Sequence, residues 1–427
     1  MKFGSRILGS WLSAALLCLP AVAEASGYDT PMLYSARHMG MGGTAIGYVH
    51  DPSALFHNPA GLAQVERGEV LGDFSLLLGG LHASPGGNRN SQNIDSELTV
   101  APFFLVGGAY RLQKYVVLGA GVYPVASAGG TFRYPTLAGS TVKDFEDRTD
   151  LFFLEASPAL AVNPLPNLRF GLGYRITYVR LERFAGADNM SPNIDFTVTG
   201  QNFTGFRAGV QWDALPWLHF GGVYRNTTTT KVKNSHGKAL VDYTDVSTQF
   251  KLPSKFGLGG RADFDPWGIP LSAAVDFEYT FNGENIGDPL VGTSPAGVRT
   301  EVPNIFEWKD SQTLRLGAEY RILHDASAHL DRVPLRVGYV YDTQSANAVY
   351  PTAFGTPPGP TQVFTLGTGY NGGSWQANVA YAYRFGHGVV TDANLNGANR
   401  KDCTFCSEAG DYKIHLSGIY VDASYKF

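Results

Sequence analysis

The sequence predicts an all-β chain: a 14-stranded antiparallel transmembrane β-barrel with a small N-terminal plug, or hatch, inside the lumen. Three observations carry that reading. Apolar residues recur with a period of two from about residue 67 to the C-terminus. Fourteen segments do so, joined by links that alternate between short and long. The last segment ends on an aromatic residue, Phe427.

Composition sets the frame. Charged residues make up 16% of the 427, against roughly 25% in ordinary soluble domains, while aromatics reach 13% and glycines number 51. An apolar share of 44% with little net charge excludes a disordered chain. No apolar run of about 18 residues follows the N-terminus, which excludes a helical membrane bundle. The formal charge of −4 implies neither a nucleic-acid footprint nor a polybasic membrane patch.

Residues 1–25 read as a secretory signal peptide. Lys2 and Arg6 precede the apolar stretch Ile7–Leu19, and small-x-small cleavage sites lie at Ala21-Val22-Ala23 and Ala23-Glu24-Ala25. The mature chain is expected to begin near Ser26 and to leave the cytoplasm. Of three cysteines, Cys18 falls in the leader, and Cys403 and Cys406 are too few for a structural zinc site. A local disulfide is the reading for an oxidising compartment.

Residues 67–427 are assigned to the barrel, with strands centred near 75, 104, 120, 156, 174, 205, 222, 259, 276, 317, 338, 366, 380 and 419. Leu271, Ala273, Val275, Phe277 and Tyr279 face one way and Ser272, Ala274, Asp276 and Glu278 the other. Trp375 to Phe385 and Leu314 to Ile322 repeat the pattern. Soluble sandwiches also alternate. Long apolar faces ending in aromatics, with ionised side chains opposite, favour a barrel in lipid, where closure leaves no unpaired edge. Short turns are expected at 111–115, 163–167, 213–217, 265–270 and 371–374. Long polar loops are expected at 128–149, 181–195, 227–249, 283–310 and 387–409. The C-terminal Ile419–Phe427 alternates up to its aromatic end, as in a strand read by barrel assembly machinery. A phase slip between Leu416 and Ile419 predicts a bulge.

Residues 26–66 lack the alternation and read as the plug. Asp51 and Pro52 look like an N-cap and first helical position, and Asn58-Pro59 ends that short helix.

Asn58-Pro59-Ala60-Gly61-Leu62 after a glycine-rich stretch resembles the hatch of the FadL-type outer-membrane transporters of long-chain fatty acids and aromatic hydrocarbons. Leu252–Gly257, Trp308–Tyr320, Pro334–Asp342 and Phe364–Tyr370 continue the resemblance across the mature chain. It implies energy-independent diffusion of hydrophobic compounds through a plugged barrel in a Gram-negative outer membrane, with outer-membrane lipid around it. Tyr28 matches the aromatic residue that reaches into the ligand pocket. Pro124, in the third strand, matches the kink that opens the wall sideways; a plain proline at a strand end fits the residues equally. Loops 181–195 and 227–249 correspond to the family's external docking groove.

Met32, Leu33, Met39, Met41 and Phe56 of the plug are candidates for packing or for alkyl contact. Inward-facing Arg175, Arg261, Arg315 and Arg336 are candidates to pair with wall carboxylates or to meet a ligand carboxylate. His-Glu-x-x-His and Gly-x-Ser-x-Gly are absent, so no local motif marks an enzyme; a triad assembled from separate strands would leave none. The chain is read as a transporter without cofactor or metal. A general porin and a structural or secretion-associated barrel are the rival readings.

Overall fold

The computed structural model describes residues 34–85, 94–138, 141–187, 192–239, 241–325, 330–348, 359–396 and 409–427. The leader, Tyr28, Met32, Leu33, Cys403 and Cys406 lie outside the described residues. Fourteen strands form the barrel: β1 (Gly68–Pro85), β2 (Thr99–Gln113), β3 (Val116–Ala138), β4 (Thr141–Leu165), β5 (Leu168–Ala187), β6 (Ile194–Leu215) and β7 (Leu218–Arg225) make the first half. The second half is β8 (Lys255–Asp263), β9 (Leu271–Thr280), β10 (Ser311–Asp325), β11 (Leu330–Asp342), β12 (Thr361–Asn371), β13 (Trp375–Val390) and β14 (Gly410–Lys426). Each pairs antiparallel with its sequence neighbour, and β14 closes on β1 from Glu69 opposite Lys426 to Pro85 opposite Gly410. Every strand centre expected from the alternation falls inside one of them.

The alternation becomes two surfaces. Val70, Phe74, Phe104, Val275, Leu316, Tyr320, Val379 and Tyr381 are exposed on the outer wall. Asp73, Glu155, Arg175, Asp276, Arg315 and Glu319 are buried on the inner one. A wall facing hydrocarbon keeps apolar side chains outside, so exposure and polarity are inverted relative to a soluble protein.

Three expectations need correction. The segments read as polar loops at 128–149 and 181–195 are largely strand, because β3, β4, β5 and β6 run on beyond the apolar band. Outside lipid both faces can be polar, so alternation stops while the backbone ladder continues. Segment 227–249 is likewise a hairpin, Thr228–Ala239 with Val241–Leu252, and a second hairpin, Leu290–Thr293 with Arg299–Val302, lies against it. No bulge interrupts β14: its registers with β1 and β13 run unbroken through Leu416 and Ile419, so Leu416 simply faces inward. Ser53, not Asp51, is the N-cap of the short helix Ala54–His57, and Asp51 Oδ1 instead accepts from the Ser53 N–H at 2.8 Å.

Residues 34–66 fill the lumen near the short-turn end as α1 (Ala36–Met39), α2 (Ala54–His57) and a 3-10 turn, Pro59–Gln64. Above them, inward-facing Leu105, Tyr123, Val125, Phe153, Val179 and Val198 join Val246 and Phe250 of the first loop hairpin, and Phe306 of the segment that follows the second, in one apolar column.

Candidate functional site

The plug is fastened to the wall by backbone groups. Asp276 on β9 accepts from the N–H groups of Ala45 and Ile46 at 2.8 and 3.1 Å. Thr365 on β12 accepts from Gly42 N–H at 3.0 Å and donates to Gly40 O at 3.1 Å. Asp422 on β14 accepts from Ser35 Oγ at 2.7 Å. Asn58 does most: its Nδ2 donates to Ile46 O at 2.8 Å and to Val210 O at 3.0 Å, while its Oδ1 caps Ala60 N at 3.1 Å. Pro59 follows at the first position of the 3-10 turn, where its missing N–H costs nothing.

Inward glycines of the wall make the seat. A Cβ on Gly338 would lie 2.0 Å from Gly42 N, one on Gly171 would lie 2.2 Å from Ala60 N, and one on Gly209 would lie 1.9 Å from Asn58 Oδ1. Gly42 itself takes φ +68°, a conformation that side-chain-bearing residues resist. At Gly338 and Gly171 plug and wall thus touch backbone to backbone. Met39 packs against Val340, Val363 and Tyr420, and Met41 against Tyr48 and Ala274, so both methionines are anchors in the wall contact.

One edge of the plug meets the kink. Pro124 sits where the β3–β4 register shifts, between Pro124 opposite Leu154 and Ala126 opposite Phe153. Its carbonyl accepts from Tyr34 Oη at 2.6 Å. Next to it, Tyr123 Oη donates to Leu55 O, in the one-turn helix α2, at 3.0 Å. Arg207 Nη1 reaches the same carbonyl at 2.6 Å. Phe56 stands edge-on to Tyr34 at 5.0 Å and to Tyr123 at 5.6 Å, beneath the apolar column. Burial holds the neighbouring plug imidazoles neutral: His38 is pushed well below the usual histidine value, and His57, which hydrogen-bonds Tyr34 O at 2.8 Å, down to about 4.

Beside the kink the wall parts. The β2–β3 ladder runs from Gln113 opposite Val116 only as far as Val106 opposite Val122. Beyond it, Thr99–Leu105 pair with β1 and Tyr123–Ala138 pair with β4. The two edges meet again at a bridge between Ser96 and Phe132, where Glu97 N–H donates to Thr131 O at 2.7 Å. Between these closures lies a cavity of about 450 Å³ lined by Ala101, Phe103, Ser127, Ala128 and Phe152, among others. Phe103 belongs to the apolar column as well, and Ala128 packs against it.

The four candidate arginines all have carboxylate partners in the wall. Arg175 Nε meets Glu155 at 2.6 Å, Arg261 lies 2.8 Å from Asp263 and 3.2 Å from Glu319, Arg336 is 2.6 Å from Glu319, and Arg315 is 2.5 Å from Glu278. Such pairing is what bare charges in a confined lumen require. Three of the four also keep a buried guanidinium nitrogen without a hydrogen-bond partner among the described residues: Nη2 of Arg175, Nη1 of Arg261, and Nε of Arg315. Sequence reasoning missed Tyr34, Tyr123, Glu155 and Arg207. Inward parity beside Pro124 marks Tyr123, whereas nothing local marks Tyr34, whose role rests on a contact 90 residues away.

The comparisons agree with this architecture. Residues 16–427 match the family model described as outer membrane protein transport protein (OMPP1/FadL/TodX). Among solved structures, a FadL homologue of Pseudomonas aeruginosa superposes with a TM-score of 0.73 at 16% identity, covering 94% of this chain and 100% of that one. The Pseudomonas putida toluene transporter TodX gives 0.66 at 15%, covering 94% and 100%. The Ralstonia pickettii toluene transporter TbuX gives 0.62 at 16%, covering 92% and 98%. No curated protein sequence matches the chain. The match over nearly the whole length, on a closed barrel of fourteen strands, makes this chain a member of the OMPP1/FadL/TodX family of outer-membrane transport proteins, a family of transporters and not of enzymes.

Proposed function

We propose that this barrel carries hydrophobic small molecules, long-chain fatty acids or aromatic hydrocarbons, into the cell by diffusion, without an energy source of its own. The observation that supports this most is the continuity of the apolar column with the parted wall: Phe103 lines both. A solute that leaves water for the column gains about 25 cal/mol for each Å² of apolar surface it buries. It then has a sideways way out between β2 and β3 that avoids the plug. Phe56 forms the floor of the column, and Tyr28, Met32 and Leu33, which precede Tyr34, are the plug residues assigned to ligand contact and release. For a fatty acid, Arg175, Arg261 and Arg315, each with a buried guanidinium nitrogen free of a hydrogen-bond partner among the described residues, are the cations assigned to the carboxylate ahead of Arg336. A leader at 1–25 and recognition of Ile419–Phe427 by assembly machinery complete the reading.

The sideways exit is tested by filling it. A Cβ on Gly130 meets nothing closer than 3.6 Å, so Gly130→Trp obstructs the opening without disturbing the plug. Uptake of labelled fatty acid or toluene by expressing cells should fall several-fold while the folded barrel persists. Undiminished uptake would remove the lateral route.

A further inference from the structure

The extracellular end of β1 holds three side chains in a relation the transport reading does not use. His82 and Ser84 lie two residues apart on one face of the strand, and Asp95 is the cross-strand partner of His82. His82 Nε2 lies 2.8 Å from Ser84 Oγ. Its Nδ1 is hydrogen-bonded to the Asp95 carboxylate. The tautomer that carries its proton on Nδ1 donates to Asp95 and leaves Nε2 to accept from the serine hydroxyl. A nucleophile held by a base that is itself held by a carboxylate is recognised by this geometry and not by sequence order.

The face matters as much as the triad. The β1–β14 register is unbroken, so His82 and Ser84 share the outer, lipid-facing side with Val70 and Phe74. Below them on that face Gly80 carries no side chain, and Leu76 and Leu78 run down the strand beside exposed Val100 of β2. Lys413, opposite His82 on β14, adds a cation at the same level. An apolar track that ends at a serine, an imidazole and an ammonium fits an amphiphile whose polar bond lies at its head.

We propose that Ser84, His82 and Asp95 form a hydrolytic site for acyl esters lying in the outer leaflet, with the acyl chain along Leu76 and Leu78. Ser84 Oγ bonds to the ester carbonyl carbon and passes its proton to His82 Nε2. The carbon–alkoxy bond breaks, and the same proton leaves with the alcohol. Water then attacks the acyl-serine by the same route and frees a carboxylic acid. Lys413 stands beside the developing oxyanion. Asp95 acts through the imidazole as a positioning residue. The product is an apolar carboxylate, released beside the opening between β2 and β3.

The test uses the purified full chain in detergent micelles. A fluorophosphonate probe should label the wild type and not Ser84→Ala, with both migrating as folded, heat-modifiable barrels. Hydrolysis should be lost in Ser84→Ala and His82→Gln, and Asp95→Asn should lower kcat by roughly 10²- to 10⁴-fold with KM little changed. p-Nitrophenyl butyrate and dioleoylphosphatidylcholine distinguish an incoming ester from a membrane lipid as the source. Labelling equal in wild type and Ser84→Ala, or hydrolysis of neither ester, overturns the proposal and leaves the transport reading untouched.

Discussion

Tyr34 Oη donates a 2.6 Å hydrogen bond to the carbonyl of Pro124, which joins the start of the described plug to the register shift between β3 and β4. Tyr34 is fully buried, and its ring packs at 5.9 Å from that of Tyr123, so the contact is both polar and apolar. Tyr34→Phe keeps the packing and removes the donor, and should cost about 0.5–1.5 kcal/mol of plug stability. Tyr34→Ala also opens a cavity and should cost about 3–5 kcal/mol. Protection of the plug against hydrogen exchange reads both. Equal protection in the two variants would mean that the plug is not seated through Tyr34.

Asn58 links three segments by its side chain, Ile46 and Ala60 in the plug and Val210 in β6. Replacing it by alanine leaves three carbonyls, of Ile46, Val210 and Gly222, and the Ala60 N–H without this partner. Asn58→Ala is expected to destabilise the plug by about 2 kcal/mol, more than a surface cap alone would. The difference should show as earlier proteolysis of residues 34–66, with the barrel intact.

The wall glycines predict a channel. A side chain on Gly338 would overlap Gly42 N, a backbone atom with nowhere to move. Gly338→Val should therefore assemble as a barrel with its plug displaced, and planar-bilayer recordings should show steady ionic conductance where the wild type shows little. Low conductance in both would mean that the plug does not block the lumen.

The buried imidazoles predict a pH dependence. His57 binds its proton at about 4 in the folded plug, against 6.5 for a free histidine, because burial opposes the charge. Between those values the released plug holds a proton that the seated plug refuses, so seating weakens as pH falls. The loss is absent above about 6.5, complete near 4, and amounts to roughly 3 kcal/mol. His38, Asp51, Arg315 and Glu278 are the charged or titratable groups that surround it. Proteolytic accessibility of the plug from pH 7 to 4 measures the effect; buried His38 adds a loss of the same sign, so His57→Gln should make the profile shallower and leave the part that His38 carries.

Much of this was legible in the sequence, and the rest was hidden for physical reasons. A strand in hydrocarbon must alternate, so Val275, Phe277 and Tyr279 announce β9, and all fourteen barrel strands are found this way. Outside the hydrocarbon the constraint lapses, which is why the upper parts of β3 to β6 read as loops. The abundance of glycine has two causes that composition cannot separate: some serve turns, but Gly171 and Gly338 let a plug backbone touch the wall, and Gly209 makes room for the Asn58 side chain. Pro124 was identifiable because proline cannot donate to a ladder. Its partner Tyr34 was not, since a hydrogen bond spanning 90 residues leaves no trace in local pattern.

The central claim is that an apolar solute crosses this plugged barrel, and uptake tests it most directly. Cells expressing the protein are compared with empty-vector cells for saturable accumulation of radiolabelled oleate and toluene. The account predicts accumulation well above the control for at least one of these solutes, lowered by Gly130→Trp. Accumulation equal to the control for every apolar compound tried would contradict it.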